Sequence, residues 1–232
     1  MRKGRNGLEI LYEDGSIIVA DKPGGLLTMS TGREGEITAY SILTDYVRSG
    51  RGYRDRKQGE RRRIFIVHRL DRDTSGVIVF AKDPETKYAL QEDWNEIVLE
   101  RKYVAVLEGT PARQEGTIAS YLRDNPKSMK VSSSMTDNGG KYSVTHYRVI
   151  RPAEDYALVE FELETGRKNQ IRVHAADIGH PVAGDRKYGA RTNPIRRLAL
   201  HARILSFRHP YTGETLTFDT GIPRQFLKLT SG

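Results

Sequence analysis

Ile64-Phe-Ile-Val-His-Arg-Leu-Asp-Arg-Asp-Thr-Ser-Gly-Val-Ile-Val-Phe-Ala81 sets two short apolar runs, 64–67 and 77–81, on either side of the polar segment 68–76. Runs of this length bounded by polar residues are expected as buried strands, so the segment between them becomes a loop held at both ends. Two readings of that loop stand side by side. It is either a tight turn, in which Asp71 or Asp73 bonds its own backbone and Gly76 supplies a positive φ, or a platform for chemistry built from His68, Arg69, Asp71 and their neighbours.

Outward from this centre the pattern alternates between strands and helices. Toward the N-terminus, Glu9 to Asp21 reads as two strands around a turn at Glu13-Asp-Gly-Ser16, and Lys22-Pro-Gly-Gly25 breaks the run. Thr38 to Ser49 has helical spacing. Toward the C-terminus, Asp83, Pro84 and Glu85 form a helix start, which predicts a helix from Pro84 to about Val98. Lys102–Glu108, Gly116–Leu122, Lys141–Ile150 and Tyr156–Glu164 read as strands, and Lys168–Ile178 as a helix closed by Gly179. Arg203–Phe207 and Thr215–Phe218 read as a hairpin. The expected fold is α+β: one domain over residues 1–232, with a mixed, mainly antiparallel sheet and flanking helices and loops.

The 232 residues contain no cysteine, which excludes disulfides, thiolate metal sites and every cysteine nucleophile together. Lys and Arg number 38 against 30 Asp and Glu, a net charge of +8. Eight basic and two acidic residues lie between Arg48 and Arg63, so this segment carries +6 of that surplus. It reads either as a solvated loop or as a phosphate-contacting arm, with Arg61, Arg62 and Arg63 its densest part. No apolar stretch is long enough to span a bilayer, and the acids that follow the basic N-terminus exclude a signal peptide, so the expected location is the cytoplasm. No phosphate-binding glycine loop, dinucleotide fingerprint or helical histidine pair is present. The six histidines are scattered, so structural hydrogen bonding is the expected role of each, and no metal site is expected.

Three motifs taken together, His68-Arg-Leu-Asp-Arg-Asp-Thr-Ser-Gly76, Lys102-Tyr103-Val104-Ala105 and Thr165-Gly-Arg-Lys-Asn-Gln-Ile-Arg-Val-His174, resemble the RluA family of pseudouridine synthases. The continuation from Gly179 to Gly189 and the Leu198-Ala-Leu-His-Ala202 segment extend the likeness, which runs from about Leu8 to Leu229. The sequence departs from the family at Asn169, where a histidine is usual, and this puts the role of that histidine in doubt here. Many members carry a small RNA-binding module ahead of the catalytic domain. With a first strand near Leu8, this chain is expected to find RNA through its catalytic domain and basic segment alone.

The resemblance implies isomerisation of uridine to pseudouridine in structured RNA, large-subunit ribosomal RNA before transfer RNA, by an enzyme of the isomerase class that needs no cofactor; a monomer is the default expectation. It assigns the essential carboxylate to Asp71. By motif position Arg172 is its expected partner and Arg167 the second candidate; Tyr103 stacks on the uracil and assists loss of the carbon 5 proton. His68, Leu198 and Leu200 are expected around the base, with Arg69 filling the space the uridine leaves. Whether Asp71 attacks the sugar, adds to the base or removes a ribose 2′ proton is left open by the sequence. A non-catalytic RNA-binding protein and a metal-dependent nuclease using Asp71 and Asp73 are the readings from other classes.

Overall fold

The computed structural model describes residues 2, 3, 5–50 and 63–231. Arg61, Arg62 and most of the expected basic segment therefore lie outside the described residues. In chain order the elements are β1 (Arg2–Lys3), β2 (Glu9–Glu13), β3 (Ile17–Lys22), α1 (Ala39–Arg48), β4 (Phe65–Ile66), β5 (Ser75–Ala81), α2 (Pro84–Glu92), α3 (Trp94–Ile97) and β6 (Val98–Glu108). They continue as β7 (Glu115–Asn125), β8 (Lys130–Ser134), β9 (Lys141–Pro152), β10 (Tyr156–Leu163), α4 (Gln170–Asp177), β11 (Leu200–Arg208), β12 (Thr215–Asp219) and α5 (Arg224–Leu229). The fold is α+β, as expected, and the chain divides into two compact units, each discontinuous in sequence.

The first unit comprises Met1–Glu100 and Ala202–Thr220. Its strands run in the order β1-β2-β3-β5-β11, with β12 paired to β11 and β4 to β5. The pairings of β2 with β3 and of β3 with β5 are antiparallel. Every residue of β5 is buried, which explains its continuous apolar sequence. Ile17, Val19, Val77, Val79, Leu205 and Phe207 form its core with Leu90 of α2. Each such side chain stabilises by about 1.5–3 kcal/mol when removed from water. Thr38 caps α1, its side chain accepting from the Ser41 amide while the Ser41 hydroxyl accepts from the Thr38 amide.

The second unit comprises Arg101–His201 and Gly221–Gly232. Its strands run β6-β10-β9-β7-β8, every neighbour antiparallel. Val104, Val106, Val159, Phe161, Ile171, Leu198 and Phe226 belong to its main core. Among the described residues no helix is long and apolar enough to cross a membrane.

Two local expectations need correction, and one strand lies outside the expected set. The helix expected over 84–98 breaks at Asp93, and Val98 already begins β6. Leu90, Trp94 and Ile97 keep helical spacing across the break because all three pack into the first unit's core, so the apolar pattern conceals it. The run 64–67 yields only the two-residue β4, although Ile64 and Val67 are buried. β8, with Val131 its one buried residue, was not anticipated, because a strand of lysine and serines shows no apolar alternation.

Candidate active site

The expected site residues fall into two groups, one in each unit. In the first, the loop carrying Asp71 is fixed through its main chain. The Thr28 hydroxyl donates to the Leu70 carbonyl at 2.8 Å and accepts from the Leu70 amide at 3.3 Å. The Arg72 carbonyl accepts from the Gly25 amide at 2.9 Å and from Lys22 Nζ at 3.0 Å. The Thr74 amide donates to the Asp71 carbonyl at 3.2 Å and closes the turn. Residues on both sides of Asp71, and Asp71 itself, are thereby held, and two of the partners, Lys22 and Gly25, belong to a stretch that the sequence marks only as a chain break. Lys22 is fully buried, and its ammonium also donates to the carbonyls of Pro23 at 3.0 Å and Leu26 at 2.7 Å. Three carbonyl acceptors offset the cost of removing that charge from water.

His68 Nε2 accepts from the Val79 amide at 3.1 Å, and the ring lies 4.9 Å from that of Trp94. The histidine thus ties the loop to β5. Arg69 is exposed, as its assignment to an RNA contact requires. Arg63 is also exposed, with its guanidinium carbon 4.8 Å from the centroid of the Phe65 ring. Gly76 has φ +117°, and a Cβ there would sit 2.1 Å from the Ala202 carbonyl oxygen. Only glycine lets the end of the loop lie against that segment.

In the second unit, Tyr103 stands on β6 opposite Phe161 of β10. It packs against the cluster that contains Leu198, Leu200 and Ile171, so three expected base-lining residues share one apolar environment. Two residues before it, Arg101 donates through Nη2 to the carbonyls of Leu163 and Glu164, both at 3.2 Å. Burial lowers the pKa of this guanidinium, and a Cβ on Gly166 would come within 3.0 Å of its Nη1. Arg101 fastens the strand of Tyr103 to the segment entering α4, a role that the sequence reading missed.

Arg172 on α4 makes a bidentate pair with Asp185, Nε to Oδ2 at 2.6 Å and Nη2 to Oδ1 at 2.8 Å. Asp185 is buried, and the guanidinium carbon of Arg172 lies 5.1 Å from the Tyr188 ring centroid. The Tyr188 hydroxyl donates to Asn169 Oδ1 at 3.0 Å and accepts from the Val131 amide at 3.0 Å. Lys187 Nζ donates to the same Asn169 oxygen at 3.2 Å. Asn169 has φ 54°, a left-handed conformation that asparagine tolerates better than most residues. Asn169 therefore both turns the chain into α4 and anchors the ring beneath Arg172.

The Gln170 amide uses its full capacity: Oε1 accepts from the Thr165 hydroxyl and the Arg167 amide, and Nε2 donates to the Val144 carbonyl and the Thr145 hydroxyl, all at 2.9 Å. Arg167 is exposed while its main chain is fixed by this contact. His174 is fully buried, with Nε2 3.0 Å from the Ser120 hydroxyl and Nδ1 2.8 Å from that of Thr145. Its pKa falls to about 4 through burial, so it serves as a neutral structural link between α4 and the sheet. Among the described residues no group of three or more His, Asp or Glu is placed to hold a metal ion.

The α+β architecture and these motifs, on the Asp71 loop, on β6 and on α4, define a domain of the pseudouridine-synthase type. A profile of the RNA pseudouridylate synthase family matches residues 16–177. The chain is 36% identical over 233 residues to the uncharacterized RNA pseudouridine synthase YlyB of Bacillus subtilis, covering 96% of this chain and 71% of that one. It is 35% identical over 228 residues to the ribosomal large subunit pseudouridine synthase D of Zymomonas mobilis, covering 94% and 70%. Its fold matches human RNA pseudouridylate synthase domain containing 4 with a TM-score of 0.73 at 25% identity, covering 94% of this chain and 90% of that one. The chain belongs to the RNA pseudouridylate synthase family and is an isomerase of that class.

Proposed function

We propose that this chain isomerises particular uridines of large-subunit ribosomal RNA, with Asp71 as the essential carboxylate. The substrate follows the ribosomal large subunit synthase D of Zymomonas mobilis, with which the chain shares 35% identity over 94% of its length. The observation that carries the assignment of Asp71 is the fixing of the main chain at Leu70, Asp71 and Arg72 by Thr28, Thr74, Gly25 and Lys22. Such anchoring presents one carboxylate in one place, which is the requirement of a group that must meet a reacting centre.

The reaction breaks the bond from ribose carbon 1′ to uracil nitrogen 1, turns the base and joins carbon 5 to the same ribose carbon. Carbon 5 loses a proton and nitrogen 1 gains one, so the balance is redox-neutral and calls for no cofactor. Asp71 supplies the charge at the sugar or base, and Tyr103 stacks on the uracil and assists departure of the carbon 5 proton. Leu198 and Leu200 provide apolar walls. Arg69 enters the gap in the RNA stack, with His68 holding its loop. Arg172 and Arg167 supply positive charge from the α4 segment, Arg172 oriented by Asp185. The enzyme works in the cytoplasm as a monomer.

The test has two parts. Pseudouridine mapping of total RNA from cells with and without the gene should lose signal at discrete positions in large-subunit ribosomal RNA; loss confined to transfer RNA would redirect the substrate assignment. Purified Asp71→Asn should lose turnover by at least about 100-fold, the scale of a positioned catalytic group, while RNA affinity stays within a few-fold. Retained turnover would remove Asp71 from the chemistry.

A further inference from the structure

The chain from Arg186 to Arg197 holds five basic residues, Arg186, Lys187, Arg191, Arg196 and Arg197, and no acid. It forms a loop whose two ends meet on β6. The Ala183 amide donates to the Val106 carbonyl at 2.8 Å, the Val106 amide to the Ala199 carbonyl at 3.0 Å, and the Ala199 amide to the Ala183 carbonyl at 2.9 Å. A Cβ on Gly184 would come within 2.3 Å of the Arg197 carbonyl oxygen, so the two limbs touch at the base. Glu108 fixes the loop by its main chain. Its Oε1 accepts from the Arg191 amide at 2.9 Å and from the Thr192 amide and hydroxyl, both at 2.6 Å. The Arg196 amide donates to the Asn193 carbonyl at 3.2 Å, and Arg196 has φ 57°, a left-handed conformation that arginine seldom adopts.

Two of the five cations are used within the fold. Lys187 donates to Asn169 at 3.2 Å, while Arg197 lies 5.3 Å from the Phe226 ring centroid and donates to the Leu198 carbonyl at 3.1 Å. Arg186, Arg191 and Arg196 are exposed, and none of them forms an ion pair with another described residue. Glu108 is close to Arg191 but is occupied by amide and hydroxyl donors, and Asp185 grips Arg172. Positive charge held on one fixed loop attracts an anion, and the fixed main chain reduces what must be ordered when one binds.

Position selects the anion. The loop begins directly after Asp185, which holds Arg172, and ends directly before Leu198; its base lies on β6, the strand of Tyr103. It thus borders the part of the second unit where the uracil is expected. The polyanion that accompanies a uracil in RNA is its own phosphate backbone. We propose that Arg186, Arg191 and Arg196 form a clamp for the phosphates flanking the target uridine. A protein contact calls for an apolar centre, whereas the exposed residues from 191 to 196 are arginine, threonine, asparagine and proline. The proposal rests on reading the chain as an enzyme acting on uridines in RNA.

Binding of fluorescently labelled single-stranded octauridylate to the full chain, measured from low to high salt, tests it without passing through turnover. Each phosphate contact on a single strand contributes about 0.7 to the slope of log affinity against log salt. The triple variant Arg186→Gln/Arg191→Gln/Arg196→Gln should therefore lose up to about 2 from that slope, binding about 100-fold more weakly at 0.1 M salt and converging with wild type near 1 M. The corresponding triple lysine variant should keep most of the slope. An octauridine with uncharged methylphosphonate linkages should bind the wild type and the glutamine variant alike. An unchanged slope in a glutamine variant that melts like wild type would overturn the clamp, as would equal weakening toward the uncharged oligomer. So would a changed oligomeric state with unchanged RNA affinity, which would make the loop a protein contact. Should the glutamine triple fail to fold, the single variants Arg186→Gln and Arg191→Gln decide, each expected to lose up to about 0.7 of slope and an unchanged slope in both overturning the clamp. A wild-type chain that shows this arginine-dependent slope yet makes no pseudouridine in ribosomal or transfer RNA would keep the clamp and refute the proposed catalytic function.

Discussion

Asn169 shows how one residue joins backbone geometry to the site. Its left-handed φ and its oxygen, shared by Tyr188 and Lys187, act together at the start of the helix that carries Arg172. Asn169→Gly keeps the backbone conformation and loses the bonds, while Asn169→Ala loses both. The alanine variant should be the less stable by about 1 kcal/mol. Both should slow turnover more than they weaken RNA binding, because Arg172 loses the anchored ring beneath it. Equal thermal stability in the two variants would show that the φ angle is of no consequence. The motif match drew attention to this position as a departure, but the reason asparagine suits it is a φ angle, which no residue spacing reveals. Lys22 was less legible still. In sequence it belongs to a Lys-Pro-Gly-Gly break and looks like surface charge, and its importance comes from a carbonyl 50 residues away.

At the scale of elements, strands with one continuous apolar run or strict alternation were readable, as β5 and β10 show, because burial alone dictates their composition. β8 was not, because its place depends on Ser133 bonding Ser120 and on Tyr188 bonding the Val131 amide. The same part of the sheet sets a pH dependence. His174 has a folded-state pKa of about 4 against its usual 6.5. The unfolded chain therefore binds the proton more readily, so stability is full above about pH 6.5 and falls as pH drops toward 4, by up to about 3 kcal/mol. Denaturant titrations across this range should show the loss, and His174→Asn should lack that component although it is less stable at neutral pH. Parallel curves for the two proteins would remove His174 as the titrating group. Gly76 gives a second element-scale expectation. Gly76→Ala drives a methyl group into the Ala202 backbone at a φ that alanine resists, and should destabilise by about 3 kcal/mol or more in thermal melts. A melting temperature like that of wild type would mean that the β5 end and the Ala202 segment part easily.

Across the whole molecule the charge surplus is uneven. Residues 48–63 hold +6 of the net +8, so the remainder of the chain is close to neutral. An electrostatic attraction to RNA that depended on average surface charge would be spread over many lysines and arginines and would hardly notice the loss of three. An attraction concentrated in one segment responds differently. Each phosphate neutralised by a basic side chain releases counterions and contributes about 0.7–0.9 to the slope of log affinity against log salt. Neutralising Arg61, Arg62 and Arg63 together with glutamine should thus reduce that slope by up to about 2–3, and weaken binding far more at low salt than at high. The rate at saturating RNA should change little, since these residues attract the substrate and take no part at the reacting uracil. Binding isotherms at four or five salt concentrations, with wild type and the triple variant side by side, measure the slope directly. A parallel displacement of the two lines would mean that the arginines contribute through packing or shape, and coincident lines would return the segment to the status of a solvated loop.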